Sequence, residues 1–244
     1  MKVYKFCLIA FLTLLLFSCK KETENMSRTL TYVAFEILGD NPVIMEPSAK
    51  YEDAGAIATL QGKDVTSGMT VKMNVVSDAM GLYKVEYSHK NSEGYVSRAV
   101  REVIVCNPNV TADLTGTWDV IEDDTYRLVL STGAQVFYGG DGFTVKITRL
   151  APGFFDVSDF LAGWYSIRTY PQYYPLSAMI GYFSMDEDNN IEEISSFIGL
   201  WEDGLDFLRN GIYDPDSDPD VEIIKWEVGY AGSMEFFITL TKSK

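Results

Sequence analysis

The chain has 244 residues, 47% hydrophobic and 23% charged, the composition of a folded protein and not of a disordered one. A formal net charge of −15 argues against a basic surface for nucleic-acid phosphates or anionic lipid. One histidine, His89, and three cysteines are too few for most His-based triads or Cys/His zinc sites.

Residues 1–19 read MKVYKFCLIAFLTLLLFSC. Lys2 and Lys5 precede an apolar run from Phe6 to Phe17 that is short for a membrane span and suits a secretory h-region. Its end, Leu16-Phe17-Ser18-Cys19, resembles the lipobox of bacterial lipoproteins, with Phe17 bulkier than the usual second residue. The resemblance implies a signal peptide over 1–18, cleavage before Cys19, and lipidation of Cys19. The alternatives are an uncleaved anchor or an ordinary secretory signal with an incidental Cys19. Cys7 would leave with the signal, so Cys106 is the one thiol of the folded body and no internal disulfide is expected. Loss of Lys2 and Lys5 takes the charge to −17. Residues 19–28 form a polar tether. Its Lys20-Lys21-Glu22 with Glu24 resembles the charged segment of many Bacteroidetes lipoproteins shown on the outer face of the outer membrane. A lipid-anchored, outer-membrane, cell-surface location is the expectation.

From Thr29 to Val105 short β-rich runs alternate with turn residues at sandwich spacing. Strands are expected over Leu30–Ile37, Val43–Met45, Gly55–Leu60, Met69–Val75, Gly81–Ser88 and Val96–Val105. Tyr83, Val85 and Tyr87 share one face and Lys84 and Glu86 the other. Asn91-Ser-Glu-Gly94 marks a hairpin turn. Tyr51-Glu-Asp53 with Gly55-Ala56, then Gly62-Lys-Asp64-Val-Thr66, Gly81-Leu-Tyr83-Lys-Val85-Glu-Tyr87, Asn91, Gly94 and Arg101-Glu-Val-Ile-Val105 together resemble the bacterial Ig-like domain appended to many surface proteins and to a pesticidal crystal protein. That resemblance implies an Ig-like β-sandwich over 29–106, acting as spacer or docking module without catalytic residues. Pro108 then breaks the pattern.

Residues 112–244 are more acidic and more aromatic. Acids and bases number 10 and 7 in 29–106 against 23 and 8 in 107–244, and all four tryptophans fall in the second part. Phe143-Val145-Ile147 and Met234-Phe236-Ile238-Leu240 alternate with polar or exposed positions, as half-buried strands do. Ile223–Val228 is expected to pair with the last strand through Tyr230–Ser233. Short helical turns are expected over Ser158–Leu161 and Trp201–Arg209. The fold class is all-β: an antiparallel barrel or sandwich follows the Ig-like domain. Leu114-Thr-Gly116-Thr-Trp118 resembles the first strand of lipocalin-like barrels, and the whole layout resembles Bacteroidetes lipoproteins with an Ig-like module and a lipocalin-like domain, some of which accompany glycan-uptake machinery.

The segment Trp164-Tyr-Ser-Ile-Arg-Thr-Tyr-Pro-Gln-Tyr-Tyr174 holds five aromatics, and Pro171 and Pro175 make it a loop. Such rings either stack on the C–H faces of sugars or fold back as a lid on the barrel core. Trp164, Tyr165, Tyr170, Tyr173, Tyr174 and Trp201 are the stacking candidates, and Asp203 the hydroxyl acceptor. Asp186, Asp188 and Asn190, with Asp214, Asp216 and Asp218, place oxygens at alternate positions and would suit calcium as the one cofactor; ordinary Asx turns explain them as well. No GxSxG, HExxH or phosphate-binding glycine loop is present, so catalysis is not expected.

The leading expectation is a surface lipoprotein that binds oligo- or polysaccharide and serves glycan uptake. A structural lipoprotein docking on another outer-membrane protein, such as a transport protein, is the alternative. A barrel pocket for a small apolar ligand is a third reading, set against the abundance of aromatics available to fill it.

Overall fold

The computed structural model describes residues 30–140, 142–218 and 221–243. The expected signal peptide, lipidated Cys19 and tether lie outside the described residues.

The first unit is a sandwich of two small sheets. One is ordered β1 (Ala34–Ile37), β3 (Ala56–Leu60), β4 (Lys63–Asp64). The other is ordered β2 (Val43–Met45), β7 (Val96–Val105), β6 (Gly81–Lys90), β5 (Thr70–Met73), with β2 parallel to β7. The first strand begins at Ala34 and not at Leu30, because Val33 donates its amide to the Ser97 hydroxyl instead of joining the ladder. Asn91 shapes the β6–β7 hairpin: its Oδ1 accepts from Glu93 and Tyr95, and its Nδ2 donates to Thr31 O. Ala56, Val85, Tyr87 and Val103 form the sealed apolar cluster. Beside it lies a polar centre. Asp53 accepts from the hydroxyls of Tyr51 (2.9 Å) and Tyr87 (2.7 Å) and from the Gly55 amide (3.2 Å). Arg101, 1% exposed, faces Asp53 at 3.4 Å and donates to the carbonyls of Leu38 and Gly55. Burial pushes the Tyr87 phenol pKa up.

The second unit is a closed antiparallel barrel. Its eight strands are β8 (Gly116–Val120), β11 (Thr144–Ala151), β12 (Phe154–Val157), β13 (Met179–Met185), β14 (Asn190–Ile198), β15 (Phe207–Asp218), β16 (Val221–Tyr230) and β17 (Met234–Lys242). Strand β8 closes the ring by pairing with both β11 and β17. A flap of β9 (Tyr126–Val129) and β10 (Ala134–Phe137) continues along the other half of the β17 edge. At the break between β8 and β9 the buried Thr125 hydroxyl bonds both the amide and the carbonyl of Thr239, standing in for a missing ladder pair.

The interior is filled. Trp118, Trp226, Phe155, Phe160, Phe183 and Phe236 pack with aliphatic side chains inward from every wall. The indole N–H groups of Trp118 and Trp226 are satisfied at 2.9 Å by the carbonyls of Leu114 and Phe160. Among the described residues the barrel therefore has a packed core where a pocket for an apolar ligand would need space. The helical turns expected over Ser158–Leu161 and Trp201–Arg209 do not form as such. Ser158 still pairs with Lys146, and the second segment is a tight turn that enters β15 at Phe207.

Strand β7 runs straight into the contact between the units. Ile104 and Cys106 pack with Ala151 and Phe154, flanked by Leu82, Leu150, Tyr182 and Ile194, and Phe154 stacks on Tyr182. The side chains of Asn107 and Asn109 both donate to Glu187 in the β13–β14 turn. The up-and-down strand order then divides the connections. The β11–β12 and β13–β14 turns, the end of β15 and the start of β16 face the Ig-like unit, while 121–140, 142–143, 158–178, 199–206 and 231–233 lie at the opposite end.

Candidate functional site

The long connection between β12 and β13 is built on Asp159, which is 4% exposed. Its Oδ1 accepts from the amides of Leu161 (2.9 Å) and Met179 (3.2 Å), and its Oδ2 from the Gly163 amide (3.1 Å) and the Ser166 hydroxyl (2.6 Å). One carboxylate thus pins both ends of the excursion to the barrel. Burial pushes its pKa up, against the pull of these four donors. Gly163 then turns the chain at φ 90°, where a Cβ would lie 2.8 Å from Ile167 Cδ1. A single π-helical turn follows over Trp164–Thr169, then a 3-10 turn over Pro171–Tyr173. Such π turns are frequent at functional sites.

This turn divides the aromatic candidates. Trp164 points inward against Tyr138 and Phe236, with the guanidinium groups of Arg127 and Arg168 each 4.5 Å from its ring centre. Trp164 is therefore a plug of the barrel end, which corrects its expected role as a stacking surface. Tyr165 is also buried, but it forms the base of an aromatic group that reaches the surface. Its ring meets Trp201 edge-on at 4.9 Å, Tyr170 at 5.9 Å and Tyr230 at 5.9 Å. Tyr170 touches Trp201 and Tyr173 in turn. Trp201 is 41% exposed and Tyr173 49%.

Asp203 sits beside this group and accepts the Tyr230 hydroxyl at 2.9 Å. Its backbone bridges Ile198, which holds the Trp201 turn in place. Burial and this bond raise the Tyr230 pKa. Tyr174, 67% exposed, stands apart: it makes no ring contact with the group and faces the other flank of the segment. The sequence reading missed Tyr230 and Arg127. Tyr230 looked like turn sequence and Arg127 lay in no motif, so their roles follow from the closure of β17 between β16 and β9.

The acidic candidates lie at the other end of the barrel, next to the Ig-like unit. Asp186 spends its oxygens on the β13–β14 turn, accepting from the amides of Asp188 and Asn190 and from Asn190 Nδ2. Asp214 lies on β15 opposite Ile223, and the side chains of Asp216 and Asp218 lie outside the described residues. Among the described residues no group of three or more His, Cys, Asp or Glu side chains converges to hold a metal. Cys106 is sealed in the contact between the units, and burial pushes its thiol pKa up.

A family model for a bacterial surface protein Ig-like domain matches residues 35–105, and a second model, described as a C-terminal domain, matches residues 107–242. Neither is an enzyme family. No curated protein matches the chain. Among solved structures it is similar to the lipoprotein BT2262 from Bacteroides thetaiotaomicron, with 30% identity over 86% of this chain and 100% of that one and a TM-score of 0.45. The M60 catalytic domain of Clostridium perfringens ZmpB with its CBM51-1 and CBM51-2 domains shares 17% identity over 52% of this chain and 15% of that one. Its TM-score of 0.27 carries no argument about this protein. Fold and matches define a bacterial two-unit protein, an Ig-like sandwich followed by a closed antiparallel barrel. By identity and coverage, the chain belongs to the family of the lipoprotein BT2262.

Proposed function

We propose that the protein is a lipid-anchored cell-surface lipoprotein whose barrel binds carbohydrate at the end remote from the Ig-like unit, in the service of glycan uptake. One observation carries the reading: Tyr170, Tyr173 and Trp201 form a partly exposed aromatic face, set on the buried Tyr165 and bordered by Asp203. Rings held by a rigid base lose little entropy when they stack on a sugar. The Ig-like unit is a spacer in this reading. It sits between the N-terminal lipid anchor and the barrel, and its apolar contact with the barrel would hold the aromatic face outward. Kinship with a lipoprotein and with a surface Ig-like domain supports the location in the cell envelope.

Affinity electrophoresis of the purified protein against a panel of polysaccharides, with and without calcium, tests the reading. Retardation by a glycan that disappears in Trp201→Ala with Tyr173→Ala is the expected outcome. Trp164→Ala is a poor probe, because Trp164 belongs to the core. Calcium should make no difference, since the acidic turns lie at the other end of the barrel. Absence of retardation by every glycan would reject the reading and leave docking on an outer-membrane protein as its replacement.

A further inference from the structure

The opposite flank of the 159–178 segment encloses a cleft of about 300 Å³ that the aromatic face does not use. Its outer wall is Ile167 and Tyr174, and its inner wall carries Thr117 from β8, Thr144 and Lys146 from β11, and Ser158 after β12. These barrel residues alternate with the buried Trp118, Val145 and Ile147, so the pleat aims them outward into the cleft. The hydroxyls of Thr117 and Thr144 bond no other group of the described structure. Ser158 Oγ accepts the Lys146 amide at 2.8 Å, which leaves its own proton to donate. The floor is Asp159 with Ser166, held rigid by the bonds described above.

The volume is at the small end of the roughly 300–1,000 Å³ range of small-molecule sites, room for a single ring. One wall is apolar, while the other offers unused hydroxyls that both donate and accept. The lone cation of the lining, Lys146, has no ion pair within 4 Å among the described residues; Asp156, outside the cleft, lies in its field, and Asp159 shares the lining with it. An anion would meet the Asp159 carboxyl in the cleft lining, whereas an uncharged polyol would meet hydroxyls that both donate and accept.

We propose that this cleft is a separate subsite for one neutral pyranose ring. Tyr174 covers the C–H face of the sugar, and Thr117, Thr144, Ser158 and Lys146 exchange hydrogen bonds with its hydroxyls. The inference rests on the carbohydrate reading for the class of ligand, but on different residues.

The test uses the full chain with ¹³C-labelled isoleucine methyls, the Ile167 signal being assigned through Ile167→Val. Methyl glycosides of glucose, galactose and mannose are titrated in the millimolar range, with glucuronate in parallel. The Ile167 methyl should shift saturably with at least one neutral glycoside and less with glucuronate. Tyr174→Ala and Thr144→Val should each weaken that response about tenfold, or ~1.4 kcal/mol, while Trp201→Ala leaves it unchanged. A silent Ile167 together with tryptophan quenching that Trp201→Ala abolishes would overturn the cleft proposal and leave the aromatic face standing. Silence at both would reject both readings, and tighter binding of glucuronate would overturn the neutral-sugar assignment.

Discussion

In the Ig-like sandwich the sealed apolar cluster is Ala56, Val85, Tyr87 and Val103, and a buried ionic centre of Asp53, Arg101, Tyr51 and Tyr87 fills the space beside it. In the barrel, Trp118, Trp226 and a set of phenylalanines fill the interior, and the buried carboxylate, Asp159, sits at the rim to anchor a surface segment. The sandwich thus uses polar geometry for its own coherence. The barrel gains its coherence from aromatic area and spends polar geometry on positioning side chains that face solvent. A unit built the second way can present a site without weakening its core.

The largest test of that contrast is Trp226→Ala. It removes a ring that meets Phe160 and Phe183, and should cost the barrel about 3–5 kcal/mol. Chemical denaturation followed by the remaining tryptophans, all in the barrel, measures it. Arg101→Ala should cost the sandwich about 3 kcal/mol by leaving Asp53 half-buried without its cation. Hydrogen exchange should then open β6 and β7 and spare the barrel. If the barrel opens equally, the two units share one stability and the contrast fails.

Smaller effects belong to the seam and the surface. Tyr182→Ala removes the stack on Phe154 and should cost about 1 kcal/mol. Alkylation of the buried Cys106 should accelerate in that variant, and an unchanged rate would show that the seam does not depend on this pair. Tyr173→Ala should change stability by no more than about 0.5 kcal/mol, read as an unchanged melting transition, while glycan retardation weakens. The smallest effect is shared by both units. Bonds from the hydroxyl and amide of Thr66 hold the Asp64 carboxyl below its usual range, and those of Thr115 do the same for Asp113. A carboxyl with a lowered native pKa adds stability above its unfolded pKa of about 3.9. That stability is lost as pH falls through the native values. Acid titration below about pH 4 should therefore erode both units slightly, and Asp64→Asn and Asp113→Asn should flatten the slope of their own unit only.

β-rich runs bounded by turn residues were enough to locate β2 and β7, and apolar alternation to locate β17 within a residue, because strand propensity, turn chemistry and the pleat's period of two are local properties. Tyr51, Asp53, Gly55, Tyr87 and Arg101, which carry the Ig-like resemblance, turn out to be the polar centre of the sandwich: buried charges tolerate few substitutes, so their pattern stays visible in sequence. The aromatic candidates were also visible as a cluster along the chain. Which of their rings face solvent was not, since that depends on the π turn after Gly163 and on contacts from Tyr230, Arg127 and Phe236, distant in sequence.

The sequence by itself determined the all-β class, the sandwich motif and the supply of aromatic and acidic side chains, because pleat, turn chemistry and composition are local properties. Tertiary structure decided the rest. Barrel closure and strand parity placed the acidic turns beside the Ig-like unit and the aromatic segment at the far end, and buried Trp164 while leaving Tyr173, Tyr174 and Trp201 at the surface. Those outcomes depend on which strands meet across long stretches of chain, a choice made by packing the whole interior at once and not by any single segment.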